Sequence, residues 1–168
     1  MVMGYSSEVV IRAPAAEVFA YIDDIRNVAA HMSAHRSAAM AGSRLAVEIV
    51  GRQASGVGAV YRYTGRVLGL VLDFEERVTR YAPPTLKEWQ TMGQPRMLIL
   101  GSYVMTFMVT ATAASEARLA VDLRYTLPTA RPWRWIGRAL APFYARWCVE
   151  AILSGSRQEL ETAHPKRT

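Results

Sequence analysis

Cysteine is almost absent from this sequence, and Cys148 is the only one in 168 residues. An intrachain disulfide and a zinc site built from several cysteines are therefore excluded. Lysine is nearly as scarce, since the 20 basic residues comprise 18 Arg and two Lys. They give a net charge of +6 but are scattered from Arg12 to Arg167, without the dense block that is typical of polyanion-binding tails. We therefore do not expect a nucleic-acid partner.

A secretory signal and a membrane-spanning helix are also missing. Residues 1–8 lack a basic segment followed by an apolar one, so we expect a cytoplasmic protein. Residues 97–115 carry no charge, which approaches the ~18 residues of a membrane span. Glycine, serine and threonine interrupt this segment, however, and β-branched and aromatic residues dominate its centre. That pattern favours a long strand over residues 97–112 that is apolar on both faces.

Apolar residues are plentiful, at 51% against 20% charged residues, which is typical of a globular domain and not of a disordered chain. The length suffices for one domain with a substantial core. Because no internal repeat or linker is visible, we predict a single domain over residues 1–163 and a short tail at residues 164–168.

The hydrophobic periodicity predicts one strand, two short helices, six strands and one long helix. Residues 5–12 form the first strand, Pro14 opens the first helix, and Asp23 or Asp24 caps a second that runs to about Met32. A loop follows at residues 33–43. The later strands are residues 44–51, 59–68, 70–81, 85–92, 97–112 and 117–127. Short turns between them imply an antiparallel sheet.

The long helix is predicted over residues 132–163 and carries an apolar stripe. Its members recur at helical spacing and predict the buried face of the helix: Ile136, Leu140, Phe143, Trp147, Ala151 and Ser154. Pro142 should kink the helix or mark a restart. We expect Arg131, Arg134 and Arg138 to share the opposite face of its first part.

Several local stretches, taken with this order of elements, resemble a known superfamily. They are residues 7–24, with the sequence SEVVIRAPAAEVFAYIDD, then Gly56-Val57-Gly58, Tyr81-Ala82-Pro83-Pro84 and Tyr125-Thr126-Leu127-Pro128. Over nearly its whole length the chain resembles the START/polyketide cyclase (SRPBCC) superfamily, which includes the birch pollen allergen. The resemblance implies an α+β helix-grip fold. In that fold a curved antiparallel sheet of about seven strands wraps around the C-terminal helix and leaves a cavity between them.

An apolar cavity with a few polar groups is the usual form of a small-molecule site. The ligand-binding candidates are large or polar side chains on predicted inward faces: Tyr61, Tyr63, Phe74, Glu76, Tyr103, Phe107, Tyr125, Phe143, Trp147 and Glu150. The tyrosine hydroxyls would orient a ligand, or the rings would simply pack in the core. Glu150 is either a polar anchor or a water-facing residue at the edge of the stripe.

Glu76 is the candidate acid or base. It alternates with Leu72, Phe74 and Val78, so it would point inward, where burial would raise its pKa. The alternatives are a bulge that turns Glu76 outward and a salt bridge to an arginine.

Two further patterns concern membranes and metals. The start of the last helix interleaves tryptophan with arginine: Arg131, Trp133, Arg134, Trp135 and Arg138. This composition suits transient contact with an anionic membrane, unless the tryptophans pack on the sheet and the arginines are merely solvated. His31 and His35 are four residues apart, but no third ligand is evident, so we predict no metal site. No glycine loop could cradle a phosphate, and we predict no cofactor.

Three functions remain. The favoured one is binding of a hydrophobic small molecule such as a lipid, a polyketide or an isoprenoid, because no complete catalytic set is present. The alternative is a polyketide cyclase, dehydratase or aromatase that uses Glu76 and a tyrosine. The third is a peripheral membrane protein with a role in lipid transfer.

Overall fold

The protein is described here by a computed structural model, which covers residues 2–33, 44–67, 70–93, 95–97 and 99–163. The strands within these residues are β1 (Met3–Ile11), β2 (Arg44–Val50), β3 (Val60–Val67), β4 (Leu70–Ala82), β5 (Leu86–Thr91), β6 (Tyr103–Ala113) and β7 (Glu116–Tyr125). The helices are α1 (Ala15–Asp23), α2 (Ile25–Ser33) and α3 (Arg131–Ala163). The order of elements is the predicted one. The predicted loop from residue 34 onward and the tail at 164–168 lie outside the described residues.

The seven strands form one antiparallel sheet in the order β1-β7-β6-β5-β4-β3-β2. Each strand from β2 to β7 pairs with the next along the chain, and β1 pairs with β7. Since β1 and β2 lie at opposite edges, the chain must cross the sheet between them. It does so through α1, which contacts β6 and β7, and α2, which contacts β2. This arrangement confirms the predicted helix-grip fold.

The uncharged segment is not one long strand, because β6 begins only at Tyr103. The residues before it fold against the end of β7 instead. Gly101 donates its N–H to the Thr126 carbonyl at 2.8 Å, and a Cβ at Gly101 would lie only 2.7 Å from the Leu127 carbonyl oxygen. Such a close backbone approach requires glycine and ends the regular strand.

The buried face of α3 is not the predicted stripe. Many of the buried positions are small residues, and the buried set is Gly137, Ala141, Ala145, Cys148, Val149, Ile152, Leu153, Ser156 and Leu160. Ile136, Leu140 and Phe143 are exposed instead. Small side chains allow the helix to approach its neighbours closely, and at Gly137 a Cβ would lie 2.7 Å from the Ile99 carbonyl oxygen. The helix contacts β1 more than any other strand, followed by β7.

The long helix also continues through Pro142 without a restart. Proline removes one N–H from the helical hydrogen bonds. The carbonyl group that loses this donor belongs to Arg138, and because both Arg138 and Pro142 are exposed, water can satisfy it and the helix can continue. No helix among the described residues is both long enough and apolar enough to cross a membrane.

Replacing Gly137 by alanine should lower the free energy of unfolding by about 1–3 kcal/mol, because the new methyl group would overlap the Ile99 carbonyl. Helix propensity alone predicts the opposite sign, since alanine is favoured over glycine by about 1 kcal/mol. Urea denaturation followed by circular dichroism measures the difference. Ser154→Ala, at an exposed position of α3, is the control and should leave stability unchanged or slightly higher. A Gly137→Ala protein as stable as the parent would contradict the close packing.

Candidate functional site

The sheet presents an aromatic face to the interior of the protein. Seven of the ten ligand-binding candidates are buried: Tyr61, Tyr63, Phe74, Glu76, Tyr103, Phe107 and Tyr125. Their rings pack in pairs, because Tyr63 stacks on Phe74 with 4.9 Å between centroids and Tyr103 meets Phe74 edge-on at 6.2 Å. Trp89, which the sequence analysis did not single out, stacks on Phe107 at 4.8 Å. This part of the interior is therefore rich in aromatic rings.

The other three candidates lie on α3, and two of them face away from the interior. Phe143 is 75% exposed. Glu150 is also exposed, and it accepts a hydrogen bond from the Tyr5 hydroxyl at 2.8 Å. Trp147 is half-buried and packs against Tyr144 at 5.9 Å. The prediction that Phe143 points into a cavity is wrong, because the small-residue face of α3 is the one that turns inward. Of the two alternatives for Glu150, the water-facing one fits its exposed position.

Glu76 lies in the middle of β4, opposite Tyr61 on β3, and is only 1% exposed. Burial raises the pKa of its carboxyl group to about 8, although Tyr63, Trp89 and the charge of Lys87 pull the pKa down. The two alternatives weighed for Glu76 do not hold. It is not turned outward, and no arginine among the described residues forms a salt bridge with it.

Two buried polar atoms at this place lack partners. Within the described part of the chain, Glu76 Oε2 accepts no hydrogen bond and the Trp89 Nε1–H donates none. The indole N–H of Trp89 lies close enough to lower the pKa of the Glu76 carboxyl group, yet the two groups do not reach ordinary hydrogen-bond geometry. Buried polar atoms normally have partners, so this pair is a candidate anchor for a polar group on a ligand.

Lys87 is the buried charge that the sequence analysis missed. Its side chain is fully buried on β5, and its Nζ donates to the Asp23 carbonyl oxygen at 2.6 Å, to Asp23 Oδ1 at 2.7 Å and to the Tyr61 hydroxyl at 3.2 Å. Burial lowers the pKa of the amine, while Asp23 raises it. The sequence offered a signal for this, because Lys87 lies two residues before Trp89 on β5, and residues two apart on a strand point to the same face.

A β-bulge completes this polar cluster. The register between β4 and β5 shifts between Val78 and Arg80, and a bulge adds one residue to a strand and re-aims the side chains beyond it. As a result Arg80 is exposed and Tyr81 turns toward the helices, where its hydroxyl donates to Asp23 Oδ2 at 2.9 Å. The Asp23 carboxylate therefore accepts hydrogen bonds from both Lys87 and Tyr81.

A pocket of about 550 Å³ lies at one end of the sheet. Its walls come from the segment before β6, the segment after β7 and the start of α3, and include Val71, Met97, Leu100, Leu127, Pro128 and Trp133. None of the seven buried candidates lines it directly. Val71 on its wall is 55% exposed and lies on the face of β4 opposite to Glu76.

The tryptophans and arginines at the start of α3 divide into two environments. Trp133 is half-buried in the wall of that pocket, whereas Trp135 is 73% exposed. Arg134 and Arg138 are exposed as well. Arg131 begins the helix, but its side chain lies outside the described residues.

No group of three or more His, Cys, Asp or Glu side chains in the described ranges could hold a metal ion. The His31 side chain and the whole of His35 lie outside those ranges. Burial raises the pKa of the Cys148 thiol to about 12, which is typical of an unreactive cysteine.

A helix-grip fold with this apolar interior is the fold of hydrophobic ligand-binding and polyketide cyclase-type proteins. The chain belongs to the family described as polyketide cyclase/dehydrase and lipid transport, whose model matches residues 4–161. No curated protein matches it.

Solved structures show the same fold at low sequence identity. The Zhui aromatase/cyclase from Streptomyces sp. R1128 is 15% identical, with a TM-score of 0.67 over 99% of this chain and 100% of that chain. A norcoclaurine synthase point mutant from Thalictrum flavum is 14% identical, with a TM-score of 0.68 over 98% of each chain. The protein TTHA0849 from Thermus thermophilus is 15% identical, with a TM-score of 0.67 over 97% of this chain and 100% of that chain.

The pKa of Glu76 makes stability depend on pH. It rises from 4.5 to about 8 on folding, so between these values the folded protein holds a proton that the unfolded chain has released. The free energy of unfolding should therefore fall as pH rises through this window. Glu76→Gln cannot ionise and should lack this fall. Relative to the parent, its free energy of unfolding should therefore rise by about 3–5 kcal/mol as the pH increases from the lower to the upper of these two values. Urea denaturation at several pH values measures the gain.

Glu75→Gln is the matched control, because Glu75 is the neighbouring carboxylate on the opposite face of β4. It should follow the parent at every pH. If Glu76→Gln also follows the parent, Glu76 does not carry a proton at neutral pH in the folded protein.

Proposed function

We propose that this protein binds an apolar small molecule of the lipid, polyketide or isoprenoid type in the interior between the sheet and α3. The observation that carries the proposal is the unpartnered pair of buried polar atoms, Glu76 Oε2 and Trp89 Nε1. Leaving such groups without partners in an apolar interior costs free energy. A ligand that satisfies both would recover this cost.

The chemistry of the pair selects the polar group of the ligand. With a pKa of about 8, the Glu76 carboxyl group is mostly protonated at neutral pH and can donate a hydrogen bond. The Trp89 indole N–H is also a donor. Two adjacent donors suit a carbonyl or phenolic oxygen, and the neighbouring rings of Tyr63, Phe74 and Tyr103 suit an apolar or planar body. We therefore expect a mainly apolar ligand that carries at least one such oxygen.

Ligand binding can be tested on the protein as cells make it. Native mass spectrometry before and after solvent extraction should reveal a bound apolar compound. The extracted protein should then bind members of a panel of fatty acids, aromatic polyketides and isoprenoid quinones, detected by displacement of anilinonaphthalene sulfonate. Trp89→Phe keeps the ring but removes the donor, so it should weaken binding of oxygen-bearing ligands about fivefold.

Trp135→Phe is the control, since Trp135 lies on the exposed side of α3, and it should bind these ligands as the parent does. Absence of any extracted compound together with absence of binding across the panel would contradict the proposal.

A second candidate function, a cyclase or dehydratase acting on a polyketide-like substrate, is favoured by the pKa of Glu76. A carboxyl group whose pKa lies near neutral pH is matched to proton transfer. Protonated Glu76 would give its proton to a substrate carbonyl oxygen, and the resulting carboxylate would remove a proton from the adjacent carbon. Tyr63 interacts with the same carboxyl group and would position it.

Glu76→Gln separates the two functions. Glutamine still donates a hydrogen bond, so ligand binding should remain, but it cannot transfer a proton, so turnover of a poly-β-ketone substrate should fall by about 10²–10⁴-fold. Product analysis by liquid chromatography and mass spectrometry measures turnover, with Glu75→Gln as the control. Unchanged turnover in Glu76→Gln would remove this residue from the mechanism.

A further inference from the structure

The first half of α3 presents an exposed apolar surface. Trp135, Ile136, Leu140 and Phe143 are 73%, 41%, 48% and 75% exposed, and we refer to these four residues as the outer face of α3. Ile136, Leu140 and Phe143 follow the spacing i, i+4 and i+7 of one helical stripe. Their exposure is the reverse of the usual arrangement, because the opposite face of the same helix is buried with small residues.

The charged residues in the first half of α3 are all arginines, and Arg138 and Arg146 each lie one turn from a member of the outer face, Trp135 and Phe143 respectively. Arg131, Arg134, Arg138 and Arg146 lie in the first half of the helix, and no Asp or Glu occurs between residue 131 and Glu150. Arg134, Arg138 and Arg146 are exposed and form no salt bridge with any residue that the structure describes.

Several arginines on the strands pair with carboxylates: Arg62 with Asp73, Arg80 with Glu88, Arg118 with Glu8 and Arg124 with Asp122. Arg66 and Arg77 on the strands form no salt bridge with a described residue. What distinguishes the unpaired arginines of α3 is that they share one helix with an exposed apolar surface.

We propose that the outer face of α3 docks on an anionic lipid membrane. Trp135 and Phe143 would enter the boundary between headgroups and acyl chains, while Arg138 and Arg146 would contact lipid phosphates, as in interfacial helices. A second copy of this chain fits the surface less well. A symmetric dimer would bring two sets of unpaired arginines together, and like charges across an interface oppose association.

Membrane docking would also bring the pocket close to the lipid. The 550 Å³ pocket lies at the same end of α3 as the outer face, because Trp133 in the first turn of the helix lines it. A lipid-type ligand could then move between the bilayer and the protein without crossing water. This last step rests on the proposed ligand-binding function, whereas the docking itself does not.

Vesicle co-sedimentation of the full chain tests the docking. The protein should bind vesicles of phosphatidylcholine mixed with phosphatidylglycerol, bind phosphatidylcholine alone weakly, and lose most binding at high salt, because salt screens the charges. Trp135→Ser and Phe143→Ser should each weaken binding about tenfold through the loss of apolar contact. Arg138→Gln and Arg146→Gln should each weaken it about fivefold.

The matched controls are Met108→Ser and Arg77→Gln, which change an exposed apolar and an exposed basic residue on the sheet and should leave vesicle binding unchanged. Absence of binding to the anionic vesicles would overturn the proposal, and so would equal losses in the controls. A dimer in sedimentation velocity that Phe143→Ser abolishes, without vesicle binding, would assign the face to a second copy instead. Ligand extraction is measured without vesicles, so failure of the docking and failure of ligand binding are distinguishable.

Discussion

The buried ion pair between Lys87 and Asp23 holds the helices against the sheet. Asp23 is the last residue of α1, where the chain turns into α2, and Lys87 Nζ reaches both its carboxylate and its carbonyl oxygen. If this corner moved away, the ammonium group would be left in an apolar interior beside Tyr61 and Trp89. An uncompensated buried charge costs several kcal/mol. The pair therefore fixes the position of the α1–α2 corner relative to β5.

The long helix uses its two faces for different purposes. Its small residues, such as Gly137 and Ala141, bring it close to the neighbouring backbone, and it packs mainly on β1 and β7. It consequently contributes few large side chains to the interior, where the buried aromatic rings come mainly from the sheet. The large apolar residues of the helix, such as Phe143, are left on the outside. The apolar side chains of the protein therefore form two separate groups, one in the interior and one on the exposed side of α3.

The alternation of side chains along strands could be predicted from the sequence, and it placed Tyr61, Tyr63 and Glu76 in the interior correctly. The orientation of α3 could not. Helical periodicity identifies an apolar stripe, but it does not say which medium the stripe faces, and glycine and alanine give a weak hydrophobic signal even where packing is closest. The bulge that turns Tyr81 inward also could not be predicted, because the hydrophobic pattern of the sequence does not show it. Lys87 was missed because a lysine on an inward position contradicts its usual preference for water.

Burial acts on Glu76 and Lys87 in opposite directions and draws both groups toward neutrality, because it raises the pKa of the acid and lowers that of the amine. Their surroundings then separate them. Lys87 donates three hydrogen bonds, one of them to the carboxylate of its ion-pair partner Asp23, so the fold satisfies its amine. Glu76 has an oxygen without a partner among the described residues, although Lys87 belongs to the same cluster. A buried ionisable group whose hydrogen bonds are all made within the protein has a structural role. A buried group with an unsatisfied hydrogen-bonding atom can instead bind a ligand. On this reasoning Glu76, and not Lys87, is the polar centre of the candidate site.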